Sequence, residues 1–121
     1  MKYLLSIFSC LLLLTTVTAG FSQNMSEKEW KKRVAGKKII GQGLYMNMNK
    51  DGTISGTYAT NNGTINQLRG KWTYTKARGY CREMSIILAN GRIRERPYEC
   101  QKFEFLANGK VSIAGWVANL K

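Results

Sequence analysis

The sequence predicts an all-β fold: an antiparallel meander of about six strands that curls into a small barrel or half-barrel, preceded by one short helix. From Lys38 onward, apolar and polar residues alternate with a period of two, which is typical of strands with one buried and one exposed face. Dipeptides that end in glycine interrupt this alternation. Among them, Asn-Gly and Asp-Gly accept the positive φ angles that tight hairpin turns require. The interrupting dipeptides are Asp51-Gly52, Asn62-Gly63, Arg78-Gly79, Asn90-Gly91 and Asn108-Gly109.

The alternating apolar residues define the predicted inner face of the sheet. Gly56, Gly70 and Gly115 fall within these runs, where glycine permits close backbone approach or strong bending, so we expect a tightly curled sheet. Five large side chains raise the alternative of a small apolar cavity, but a filled core is favoured because a six-stranded barrel has little spare interior. These five are Met46, Met48, Trp72, Met84 and Trp116.

The first nineteen residues have the pattern of a secretory signal peptide. Lys2 supplies the positive start, residues 4–14 the apolar run, and Val17 and Ala19 the small residues before a cleavage site. The apolar run is shorter than the ~20 residues that a membrane span needs. We therefore expect a periplasmic or secreted protein in three parts: residues 1–19 as the signal, 20–36 as a flexible leader and short helix, and 37–121 as the β domain.

The short helix is predicted from residue 27 to residue 34. Ser26 and Glu29 form a capping box, in which the serine hydroxyl and the glutamate satisfy free amides of the first turn. Trp30 and Val34 are four residues apart and share one face, and Gly36 is a natural stop. Either Trp30 docks this helix on the sheet, or the segment is a linker that orders only against a partner.

Two cysteines remain if the signal is removed, because Cys10 leaves with it. Cys81 and Cys100 are equidistant from the Asn90-Gly91 turn, so a two-residue hairpin places them opposite each other, and we predict a disulfide. On the chain-entropy model this bridge contributes ~3 kcal/mol to stability. Pro97 lies between the turn and Cys100, where a bulge would shift the register by one residue.

The chain is strongly basic, with 19 Lys and Arg against 7 Asp and Glu, and its net charge becomes +11 once Lys2 is lost. Such an excess favours anionic partners such as lipid head groups, anionic polymers or acidic protein surfaces, although it also describes an ordinary solvated surface. Arg92, Arg94 and Arg96 alternate along one predicted strand, and Arg82 belongs to the same hairpin. Because arginine suits bidentate contact with phosphate and carboxylate, these four are the candidate ligand-binding residues.

The two-residue turn also predicts which face of the sheet carries the arginine stripe. It places Arg94 opposite Ile87 and Arg96 opposite Ser85, on the outer face of the sheet. The competing interpretation is that these charges only protect a strand edge from aggregation.

Nucleic acid is a disfavoured partner. A basic sheet that binds nucleic acid presents aromatic rings on the same exposed face. Here Trp72, Tyr74 and Phe103 fall at core-facing positions.

Composition excludes several classes of enzyme. The chain contains no histidine, which removes imidazole-based triads and metal sites, and paired cysteines leave no thiolate nucleophile. Glu95 and Glu99 are two carboxylates near each other, but their pattern is that of surface residues rather than of an acid/base pair. We predict a non-enzymatic protein with no catalytic residue, metal or cofactor.

Four short motifs occur in a fixed order: Asp51-Gly52, Gly70-x-Trp72, Gly79-x-Cys81 and then Cys100. In this order they resemble a family of small exported bacterial proteins of unknown function, which have a lipocalin-like curled sheet. The resemblance covers roughly residues 38–118. The resemblance implies a lipocalin-like curled sheet and a location in the cell envelope, and it carries no known activity.

The function expected from these observations is an exported, non-enzymatic envelope protein. It would bind an anionic or small-molecule partner, such as an envelope lipid or polymer, through a basic sheet face or the barrel mouth. A second similarity, to periplasmic protease inhibitors, offers the alternative of an inhibitor that acts on an exported hydrolase through residues 20–25. The helix and the bridge within one late hairpin depart from that inhibitor pattern.

Overall fold

The computed structural model describes residues 25–121, so the predicted signal peptide and most of the leader lie outside the described residues. One helix, α1 (Glu27–Val34), precedes nine strands. The strands are β1 (Lys37–Ile40), β2 (Leu44–Met48), β3 (Thr53–Ala59), β4 (Ile65–Thr75), β5 (Gly79–Ile87), β6 (Ile93–Gln101), β7 (Phe103–Phe105), β8 (Lys110–Ile113) and β9 (Trp116–Leu120). Within residues 25–121, no helix has the length and apolar character of a membrane span.

The predicted all-β fold is confirmed, with nine strands instead of six. They form one antiparallel sheet in the order β6-β5-β4-β3-β2-β1-β9-β8-β7. The two edge strands, β6 and β7, follow each other in the chain with only Lys102 between them, and the Lys102 carbonyl accepts a hydrogen bond from the Ala114 N–H at 2.8 Å. The sheet therefore curls into a half-barrel whose two edges are joined by the chain itself.

Successive connections of an antiparallel meander lie at opposite ends of the sheet. The first end, here called the closed end, carries α1 and the β2–β3, β4–β5 and β7–β8 connections. The second, here called the open end, carries the connections at residues 41–43, 60–64, 88–92 and 114–115. Because the only α-helix of residues 25–121 lies at the closed end, the two ends are packed differently.

The closed end is filled by an aromatic core that α1 completes. The Ser26 hydroxyl accepts a hydrogen bond from the Glu29 N–H at 3.1 Å, which confirms the predicted cap. Trp30 is 0% exposed, stacks on Tyr74 with ring centroids 4.7 Å apart, and meets Phe103 edge-on at 5.2 Å. Trp30 therefore docks the helix, as the first of the two interpretations predicted.

Glycines within the strands permit the curl. A Cβ atom at Gly56 would overlap the carbonyl oxygen of Tyr45, and one at Gly70 would overlap that of Glu83. The prediction for Gly115 was wrong, because this residue lies in a turn and not in a strand. Ala114 and Gly115 both have positive φ, 52° and 85°, which is the geometry of a two-residue hairpin loop joining β8 and β9.

The β5–β6 hairpin contains the predicted disulfide, Cys81–Cys100, but reaches it by a different register. The turn has three residues instead of two, since the Leu88 N–H donates to the Arg92 carbonyl at 2.8 Å. A bulge near Pro97 then adds one residue to β6 and restores the pairing of the cysteines. Pro97 has no N–H to donate to a ladder, which is the physical reason that the irregularity falls there.

Candidate functional site

The register of the β5–β6 hairpin decides where the arginine stripe lies. Arg94 pairs with Ile86 and Arg96 pairs with Met84, and side chains of directly opposed residues share a face. Both arginines therefore belong to the concave face of the half-barrel. The prediction that the stripe lies on the outer face was wrong, because the extra residue in the turn shifts the register by one and so exchanges the faces.

A cleft of about 980 Å³ occupies the concave face at the open end. Its walls come mainly from β2, β4, β5 and β6, and the first residue of β9 contributes an indole. The large apolar and charged side chains that line it include Leu44, Met46, Leu68, Tyr80, Arg82, Met84, Ile86, Arg94, Arg96 and Trp116. Among residues 25–121, no aspartate or glutamate lines this cleft.

The expectation of a filled core is therefore wrong for the open-end part of the sheet's inner surface. Of the five large side chains considered for a cavity, Met46, Met84 and Trp116 line the cleft. Met48 and Trp72 belong to the closed-end core, where they are 0% and 4% exposed. The alternation of apolar residues predicts which side chains face inward, but it does not say whether another element covers them.

The three arginines of the cleft differ in how far they are neutralised. The Arg82 side chain is only 11% exposed, donates from Nη1 to the Pro97 carbonyl at 3.1 Å, and has Nη2 3.5 Å from Glu99 Oε1. Arg94 and Arg96 are exposed, and no carboxylate of residues 25–121 lies within 4.0 Å of either. The cleft therefore presents two uncompensated positive charges beside one that is largely occupied.

The remaining candidates of the hairpin do not join the cleft. Arg92 ends the β5–β6 connection at the rim of the open end and is not among the lining residues. Glu95 pairs with Ser85 on the convex face and accepts a hydrogen bond from its hydroxyl at 2.9 Å. Glu99 lies beyond the bulge, next to Arg82, so the two glutamates do not converge on one site.

Tyr80 forms the boundary between the cleft and the closed-end core. Its side chain is 1% exposed, lines the deep part of the cleft and packs on Trp30 with centroids 5.8 Å apart. Burial raises the pKa of its phenol, because an anion would lose its hydration there. Tyr80 therefore adds no negative charge to the cleft, whose positive charges come from arginines of β5 and β6.

Asn66 and Gly41 support the cleft, and neither has a signal in the sequence. Asn66 is 5% exposed, and its Oδ1 accepts a hydrogen bond from the Ala89 N–H at 3.2 Å, which ties β4 to the β5–β6 connection. Gly41 leaves room for the Trp116 ring, which would collide with a Cβ atom at that position. Both contacts join residues far apart in the chain, so periodicity does not reveal them.

No protein-family model, curated protein or solved structure matches this chain. The likeness to small exported lipocalin-like proteins therefore stays a prediction, and functional inference rests on the geometry of the cleft.

Proposed function

We propose that this protein binds an anionic amphiphile, a molecule with an alkyl portion and a phosphate or carboxylate head, in the cleft at the open end. The observation that supports this most is the placement of Arg94 and Arg96 on the same concave surface as the apolar side chains. The absence of lining carboxylates among the described residues makes that surface attractive to an anion.

The apolar part of such a ligand suits the floor of the cleft. Leu44, Met84 and Ile86 are only partly buried although they face inward, so apolar surface there is still in contact with solvent. Covering it would contribute roughly 25 cal/mol for each Å² removed from water. The volume of the cleft is at the upper end of the roughly 300–1,000 Å³ usual for small-molecule sites.

The head group suits the β6 wall. Arg94 and Arg96 are two residues apart on one strand face, so their backbones are separated by roughly 7 Å, and both guanidinium forks reach a common anion between them. Charge-assisted hydrogen bonds of this kind are about twice as strong as neutral ones. Arg82 is less available because it already interacts with Pro97 and Glu99.

An exported location fits this proposal. Disulfides such as Cys81–Cys100 persist in oxidising compartments. Together with the signal sequence expected in residues 1–19, this favours the cell envelope, where the amphiphile would be a lipid or a lipid fragment. The alternative of a hydrolase inhibitor stays a prediction, because its acting segment lies almost entirely outside the described residues.

The test compares three ligands with the same alkyl chain: dodecyl phosphate, dodecanoate and dodecanol. Binding is measured by titration calorimetry on the wild-type protein and on the R94Q/R96Q variant. We expect both anions to bind more tightly than the alcohol, and R94Q/R96Q to lose at least about tenfold in affinity for the anions.

The matched control is R69Q/K71Q, which removes the same two charges from the convex face of β4. It should leave the affinity for both anions within about twofold, because charges on the far side of the sheet are screened. Equal losses in the two variants, or dodecanol binding as tightly as dodecyl phosphate, would overturn the proposal.

A further inference from the structure

Charge is distributed very unevenly between the two ends of the half-barrel. The four connections of the open end, at residues 41–43, 60–64, 88–92 and 114–115, contain no acidic residue and a single basic one, Arg92. The closed end is different in kind, because six of the eight residues of α1 are charged and its loops add further lysines and arginines.

Exposed apolar side chains follow the open-end connections. Ile65, Ile93 and Trp116 are each the first residue of a strand that leaves this end, and they are 58%, 60% and 39% exposed. These three side chains form an apolar rim at the open end: Trp116 lines the cleft, and Ile65 and Ile93 lie on the convex face at the same end. A tryptophan at such a rim is typical of a group that sits between an apolar phase and water.

Basic residues stand directly behind this rim. Arg92 ends one of the connections, and Arg94 and Arg96 follow on the cleft side of β6. Arginine side chains extend toward phosphate while their stems remain in apolar surroundings. An end without acidic loop residues, with apolar tips and with cations behind them, complements a bilayer surface that contains anionic lipids.

We propose that the open end docks on an anionic lipid surface, with Ile65, Ile93 and Trp116 entering the interface, and that the amphiphile enters and leaves the cleft there. This inference rests on the proposed function, since it assigns the route by which that ligand reaches its site. The closed end carries more basic residues, but among residues 25–121 its connections expose a single large apolar side chain, Leu106, so it has no comparable apolar set to insert into the interface.

The test measures co-sedimentation of the protein with vesicles of phosphatidylcholine, with and without phosphatidylglycerol. Wild type should bind the vesicles that contain phosphatidylglycerol and bind pure phosphatidylcholine much more weakly. I65E/I93E should lose at least about tenfold in vesicle affinity, because two anions are added to the face that meets the membrane.

The matched control is A77E/L106E, which adds the same two charges at exposed positions of the closed end. It should bind vesicles within about threefold of wild type, since that end faces away from the membrane. Dodecyl phosphate affinity, measured on all variants in the absence of vesicles, should stay unchanged in I65E/I93E and so show that this variant is folded.

Two results separate this inference from the proposed function. Docking through the open end is wrong, and the ligand site stands, if wild type binds dodecyl phosphate but not the anionic vesicles. The same conclusion follows if I65E/I93E and A77E/L106E weaken vesicle binding equally. If wild type binds the vesicles through Ile65 and Ile93 but does not bind dodecyl phosphate, the docking surface stands and the amphiphile site is wrong.

Discussion

The closed and open ends of the half-barrel are built from the same strands, yet only one of them is filled. At the closed end Trp30 and Val34 of α1, both 0% exposed, complete a core with Trp72, Tyr74 and Phe103. At the open end the inner face carries equally apolar side chains, but no element of residues 25–121 covers them. A curled sheet thus produces a core where a helix supplies the missing side chains and a cleft where none does.

The closed-end core leaves one buried side-chain polar atom of residues 25–121 without a partner. The Trp72 indole N–H donates to the Asn49 carbonyl at 3.0 Å, while the Trp30 Nε1 is buried with no acceptor among the described residues. Leaving a buried donor unpaired costs about 1–3 kcal/mol, so apolar packing around Trp30 must outweigh that loss. The closed end is therefore optimised for packing, and the open end keeps polar arginines accessible.

The largest expected difference between the two ends is the loss of stability when one tryptophan at each end is truncated. Trp30→Ala should destabilise the protein by about 3–5 kcal/mol, because a fully buried indole leaves a large cavity. Trp116→Ala should cost far less stability, since the side chain is 39% exposed, while it should weaken dodecyl phosphate binding. Urea unfolding of both variants provides the measurement, and equal losses would contradict the view that the ends differ.

Removal of the disulfide should have the next largest effect. The Cys81–Cys100 bridge closes a loop of 19 residues and fastens β6 on the closed-end side of its bulge. C81S/C100S should lose ~3 kcal/mol of unfolding free energy on the chain-entropy model. Thermal unfolding of the variant and of oxidised wild type checks this value, and wild type in the presence of a reductant should unfold like the variant.

A third prediction compares a glycine of the sheet with a glycine of the rim. Gly70→Ala places a methyl group against the Glu83 carbonyl of the neighbouring strand, which has no room to move, so we expect a loss of about 1–3 kcal/mol. Gly41→Ala meets only the ring of Trp116, which is free to move toward solvent. G41A should therefore alter tryptophan fluorescence and ligand affinity more than stability, and the reverse pattern would count against the assignment of the rim.

The smallest effect concerns the tyrosine at the boundary of the two ends. Burial raises the pKa of Tyr80 in the folded protein, so above about pH 10 the unfolded chain loses this proton while the folded chain keeps it. Stability contributed by this group is complete below that pH and should fall by about 1.4 kcal/mol for each further pH unit. Y80F should show a shallower decline than wild type in urea melts at alkaline pH, whereas parallel curves would contradict the assignment.

Local patterns in the chain were sufficient for the helix, the inward-facing residues and the cysteine pair. Ser26, Glu29, Trp30 and Gly36 specify the helix because capping and amphipathicity act within a few residues. The register of the β5–β6 hairpin was not predictable in the same way. Asn90-Gly91 occurs in both two-residue and three-residue turns, and the choice changes the face of each β6 residue between the turn and the bulge near Pro97.

The sequence alone accounts for an all-β chain with a short helix that carries Trp30, a Cys81–Cys100 bridge and a strand rich in arginine. These features depend on side-chain spacing and turn chemistry, which act over short distances along the chain. Tertiary structure alone decided that Arg94 and Arg96 point into a cleft and that this cleft is left unfilled. The reason is physical: the face of a residue depends on accumulated turns and bulges, and a cavity depends on which distant elements fail to meet.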